Sequence, residues 1–68
     1  MNGAILKAKI TERGMKMQDF AALLGMTPGF FSAKLHGWNG SNFTLPQAQK
    51  VCDALKLSPD EAYAIFFA

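Results

Sequence analysis

MQDFAALLGMTPGFFSAKLHG, residues 17–37, holds two short helical patterns on either side of one glycine-containing turn. In the first pattern Phe20, Leu23 and Leu24 stand at i, i+3 and i+4. That spacing predicts one shared helical face, with Ala21 small enough to let a second helix approach closely. Gly25 ends the pattern, because a residue without a Cβ can take the left-handed conformation that caps the last carbonyls of a helix. Thr27-Pro28 opens the second pattern with two signals, a side-chain oxygen able to accept an orphan N–H and a proline suited to the first helical position. Phe31 and Leu35, four apart, anchor this second helix on the first, and Gly37 closes it. Two helices joined by so short a turn form a helix-turn-helix.

Ala21, Gly25 four residues on, the aromatic Phe31 and the closing Gly37 make this stretch resemble the helix-turn-helix of the Xre and lambda-repressor/Cro-like family of bacterial and phage regulators. FSAKLHG, residues 31–37, is similar to the recognition segment of small phage Cro-like or prophage regulators. The resemblance covers nearly the whole chain. It implies a five-helix, all-α domain that lays its third helix, approximately residues 28–36, in the major groove of double-stranded DNA. It also implies a role for each matching position. Ser32 and Ala33 lie nearest the bases, Thr27, Pro28 and Gly29 stand where the helix enters the groove, and Lys16, Lys34, Asn39 and Asn42 fall on phosphates. The chain departs from the family at several of these positions. Met17 stands where a glutamine is usual, with Gln18 one residue later, and Lys16 stands where a capping Ser or Thr is usual. Lys34 replaces a buried aliphatic residue, so the second helix is expected to rotate slightly towards Leu35. At two positions that often reach base edges, Pro28 and Gly29 have no side-chain donor or acceptor.

At 68 residues the chain is read as a single domain, 1–68, that buries only about 60% of its unfolded surface and has a small margin of stability. Half of it is apolar, enough for one core and against disorder. A lone Cys and a lone His support no intramolecular disulfide and no tetrahedral metal site built from those residue types, and no nucleophile–base pair stands at an evident spacing. No enzymatic activity, cofactor, metal or small-molecule substrate is therefore expected. No apolar run approaches the ~20 residues that cross a bilayer, so no membrane association is expected, and a cytoplasmic, nucleoid-associated location in a bacterial cell or infected host follows.

The net charge of +2 is unevenly placed. Residues 1–38 carry Lys7, Lys9, Arg13, Lys16 and Lys34 against Glu12 and Asp19, a balance of +3, and residues 39–68 carry Lys50 and Lys56 against Asp53, Asp60 and Glu61, a balance of −1. The basic half contains the motif, which suits phosphate binding; ordinary solvation of outer helix faces accounts for the same lysines.

The remaining chain predicts three more helices and no strands. Residues 4–13 form the first, with Leu6 and Ile10 as its core stripe and Gly14 as its stop. Thr44-Leu45-Pro46-Gln47 carries a capping-box signature, followed by Ala48, Val51, Cys52 and Leu55 at helical spacing, which places Cys52 in the core. Ser58-Pro59-Asp60-Glu61 opens the last with a cap, a proline and first-turn acids. The longest irregular piece runs from Trp38 to Phe43. Its Asn39, Ser41, Asn42 and amides can donate to phosphates. Trp38 is read either as a DNA contact or as a hydrophobic plug, and His36 either touches phosphate or interacts with the carbonyl end of its own helix.

Phe66 and Phe67 point about 100° apart on a helix, so one ring is expected to be left over, unless both close the core between the first and last helices. A homodimer through Tyr63, Phe66 and Phe67 would cover it and set two recognition helices roughly 34 Å apart. Two functions stay open: a DNA-binding transcriptional regulator of repressor or Cro type, and an antirepressor or modulator that docks a partner regulator protein through Phe30 and the apolar entrance of the third helix.

Overall fold

The computed structural model describes residues 1–67; Ala68 and the side chain of Asn39 lie outside the described residues. Five α-helices follow one another: α1 (Gly3–Glu12), α2 (Met17–Leu23), α3 (Pro28–His36), α4 (Leu45–Leu55) and α5 (Pro59–Phe66), with no strand among the described residues. A short 3-10 turn, Trp38–Gly40, occupies part of the segment read as irregular.

Local chemistry sets nearly every boundary. Thr27 caps α3 by accepting from the Phe30 N–H, and Pro28 takes the first helical position. Thr44 and Gln47 cap each other's backbone N–H at the head of α4. Ser58 and Glu61 do the same for α5, a second capping box not anticipated from the cap and acids alone. Gly25 and Gly37 both adopt positive φ after their helices, as the turn chemistry requires. α4 ends differently, on Lys56 with φ 51°, a left-handed residue that does carry a Cβ.

The core runs through all five helices. Leu6 and Ile10 of α1, Phe20 and Ala21 of α2, Leu24 and Met26 of the turn, Phe31 and Leu35 of α3, Val51 and Leu55 of α4 and Ile65 of α5 are all buried. Two expectations fail here. Leu23 is 59% exposed although it shares the spacing of Phe20 and Leu24. It closes the last turn of α2, and no later element covers that side. Cys52 is only half-buried, because α4 turns Val51 and Leu55 fully inward and leaves Cys52 on the rim facing α5.

α1 starts one residue earlier than its periodicity suggests, and that residue fixes how closely it meets α3. A Cβ on Gly3 would overlap the backbone carbonyl oxygen of Leu35. Asn2 adds two ties at the same end, accepting from the Ile5 N–H as the α1 cap and donating its own N–H to the Ile65 carbonyl at 2.6 Å. The amino terminus thereby joins α1 to α5 beside the end of α3.

Candidate nucleic-acid interface

α3 is held by its buried side against α2. The Phe31 ring meets Phe20 edge-on at 5.8 Å and Phe43 at 5.9 Å, and Leu35 continues the same apolar stripe. The opposite side is open: Thr27, Pro28, Gly29, Phe30 and His36 are exposed, and Ser32 and Ala33 are half-buried. Lys16 and Gln18, at the head of α2, are also exposed, and the Lys16 side chain makes no cap bond. The helix pair thus leaves candidate contacts exposed at the start of α2 and at the start of α3.

Lys34 departs from its expected role. Instead of reaching outward to phosphate it is buried at 7% exposure, with its Nζ donating to the Asn42 carbonyl oxygen at 2.6 Å. The same ammonium lies 4.8 Å from the centroid of the Phe30 ring. A cation over an aromatic face contributes about 0.5–2 kcal/mol, more as water is excluded. Lys34 therefore acts as a tie between α3, Phe30 and the following loop. Lys34 and Leu35 are both buried.

The loop after α3 projects outward. Trp38 is 57% exposed and stacks on the exposed His36, with ring centroids 4.8 Å apart and planes at 19°. The hydrophobic-plug reading of Trp38 is thereby overturned. Ser41 is half-buried and Asn42 exposed, with the Asn42 side chain donating to the Gly40 carbonyl. Asn39, also expected on phosphate, has a side chain outside the described residues.

The other cations divide sharply. Lys9 pairs with Glu61 of α5 at 2.7 Å and with Glu12 at 3.6 Å. Arg13 donates two hydrogen bonds to the Leu55 carbonyl, at 3.2 and 2.7 Å, closing the carboxyl end of α4. Both are structural. Lys7 is different: it is exposed and lines a surface depression with Met1, Gly3, Ala4, Leu35 and His36, so it stands beside the end of α3. The sequence pattern alone does not place it beside the motif. Its place depends on α1 meeting α3, for which the one-dimensional signal is the glycine that permits close approach.

Between them α4 and α5 leave an apolar groove lined by Leu45, Ala48, Cys52, Ala62, Phe66 and Phe67. Phe66 turns inward and meets Phe43 edge-on at 6.2 Å, whereas Phe67 is 73% exposed and pairs with exposed Tyr63 at 5.9 Å. One ring is indeed left over, and the reading in which both close the core is overturned. Burial, with Asp53 nearby, pushes the Cys52 thiol up, away from the thiolate form that nucleophilic chemistry needs. Among the described residues no group of three His, Cys, Asp or Glu could hold a metal ion, and no helix is long and apolar enough to cross a membrane.

A family model described as the Cro/C1-type HTH DNA-binding domain matches residues 6–66, which takes in all of α2–α5 and most of α1. No curated protein and no solved structure shows a significant match.

Proposed function

We propose that this chain, which belongs to the Cro/C1-type helix-turn-helix DNA-binding domain family, is a transcriptional regulator that sets α3 in the major groove of duplex DNA. The observation that carries this reading is the pose of α3, anchored on α2 by Phe31 and Leu35 while Thr27, Pro28, Gly29 and Phe30 stand clear of the core. Exposed Lys16, Gln18 and Asn42, with Lys7 and the His36–Trp38 stack, supply the contacts to phosphate and sugar that set register on a duplex. Ser32 and Ala33 sit one turn further in. The similarity of FSAKLHG to small phage and prophage regulators supports a Cro or repressor role.

A two-fold dimer extends the reading. Exposed Tyr63 and Phe67, beside a groove floored by small side chains, give α5 both a knob and a socket, the pattern a self-complementary interface uses. Phe66, packed against Phe43, serves that surface from beneath.

Fluorescence anisotropy on the intergenic duplex beside its own gene, against a scrambled duplex and across a salt series, tests the proposal. Saturable preference for the native duplex is expected, with log affinity falling by about 0.9 per log unit of salt for each phosphate neutralised. Equal, weak and salt-erased binding to both duplexes would overturn it. The exposed Leu23 and Phe30 favour one second reading, a modulator that docks a partner regulator protein on this apolar end of the motif. Retained partner binding by Phe30→Ala would remove its support.

A further inference from the structure

We propose that Phe30 reads the C5-methyl group of a thymine, making an apolar contact the sequence-determining element at the start of α3. The inference rests on the DNA-binding reading above. It begins from what this end of the helix lacks. Pro28 and Gly29 offer no side-chain donor or acceptor, and the Thr27 hydroxyl, held as the cap by accepting from the Phe30 N–H at 3.2 Å, adds one short-reaching O–H donor. The one large side chain that emerges there is Phe30, 51% exposed. In the major groove base pairs present donors, acceptors and a single apolar group, the thymine methyl. An apolar side chain entering the groove has that one match.

The ring is also held in place. Lys34, one turn further along α3, sets its ammonium 4.8 Å from the ring centroid and is itself fixed by the Asn42 carbonyl at 2.6 Å. Lys34 is buried, so the cation supports the ring from the protein side and leaves the exposed part of Phe30 towards the groove. A side chain whose rotamer is already fixed loses less entropy on binding, and selects more sharply between a site with a methyl and a site without one. Lys34 is here a positioning residue.

The test uses a library of duplexes with a random core of about 20 base pairs, one binding footprint per molecule. Duplexes enriched by the protein are remade with deoxyuridine replacing thymidine one position at a time, which deletes the methyl and keeps every hydrogen-bonding group and phosphate. The wild-type protein is expected to lose about fourfold in affinity for each contacted methyl, the worth of one buried methylene, and at only one or two positions per half-site. Phe30→Ala should bind the thymidine and deoxyuridine duplexes equally, Phe30→Leu should keep part of the discrimination, and Lys34→Met should reduce it with Phe30 intact. A wild-type ratio of one at every position, a loss spread evenly over all thymines, or an undiminished ratio in Phe30→Ala overturns the inference while leaving DNA binding standing. Failure to enrich any duplex overturns DNA binding and the inference together. Thermal melts of each variant establish that it is folded, and if Phe30→Ala is not, Phe30→Leu decides the matter: an undiminished ratio in that variant overturns the inference.

Discussion

Residues 1–38 carry a balance of +3 and residues 39–68 a balance of −1, yet the two halves do not face each other as a binding surface and its opposite. Much of the positive charge is turned towards the other half. Lys9 reaches Glu61 of α5, Arg13 reaches the last carbonyl of α4, and Lys34 reaches the loop carbonyl of Asn42. Lys7 and Lys16 remain exposed on the motif side. A count of cations in the motif half therefore overstates the phosphate contacts it can make. Three of the five bases join the halves to each other, and the third, Lys34, also supports Phe30.

The deepest cut into that division is Arg13→Met. Its guanidinium satisfies the Leu55 carbonyl at the end of α4, where no glycine closes the helix, and hydrogen bonds from charged groups are worth about 1.5–3 kcal/mol. A loss of that size is expected in urea unfolding at constant m-value, with the salt slope of DNA binding unchanged. A lowered slope with unchanged stability would move Arg13 to the DNA side of the comparison.

Lys34→Met and Lys16→Met form a matched pair with opposite signatures. Lys34→Met removes a buried cation and strands the Asn42 carbonyl, which costs about 1–2 kcal/mol of stability at unchanged salt slope. Lys16→Met, on an exposed side chain that bonds nothing in its own helix, should leave stability within about 0.5 kcal/mol and lower the slope by about one. Calorimetry and a salt titration on the same two proteins separate them. Exchange of the two signatures would mean that burial does not mark which lysines serve the fold.

Turn chemistry sharpens the contrast in the other direction. Helices α1 to α3 are followed by Gly14, Gly25 and Gly37 at positive φ, whereas α4 closes on Lys56 at 51°. A left-handed residue with a Cβ carries about 1–2 kcal/mol of strain, partly offset by the greater backbone freedom of glycine when unfolded. Lys56→Gly should raise stability by up to about 1 kcal/mol, read as a higher melting temperature, and a fall would show that the Lys56 side chain does more than the structure assigns it.

Sequence reading recovered the parts of this molecule that local chemistry decides. The caps at Thr27, Thr44 and Ser58, the glycine stops and the apolar stripes of α1, α3 and α4 each follow from residues within one or two turns. What escaped it was set by neighbours distant in the chain. Leu23 has the spacing of a core residue and is left exposed at the last turn of α2, and Cys52 sits on the rim of α4 because Val51 and Leu55 take the inward positions. Lys34 looked like a phosphate ligand until the Asn42 carbonyl and the Phe30 ring came into its reach. The same holds for Lys7, which stands beside His36 only because Gly3 lets α1 press onto the Leu35 carbonyl.

The smallest effect tests the tie between the halves that is an ion pair. Glu61 accepts from Lys9 and from the Ser58 N–H, which lowers its carboxyl from the usual 4.5 to about 2. A depressed folded-state value means that the unfolded chain takes up the proton first as pH falls. The stabilisation is thus fully present above about pH 4.5 and is lost progressively towards pH 2. Glu61→Gln keeps an acceptor oxygen for the Ser58 N–H and removes the charge facing Lys9. Its melting temperature should lie slightly below the wild-type value at neutral pH, and the two curves should converge as pH falls through that window. Solvent and salt screen a pair this accessible, so the gap should also narrow as ionic strength rises at pH 7. Parallel curves from pH 7 to pH 2 would mean that the capping hydrogen bond alone holds α5, and that Lys9 joins the two halves in geometry without joining them in energy.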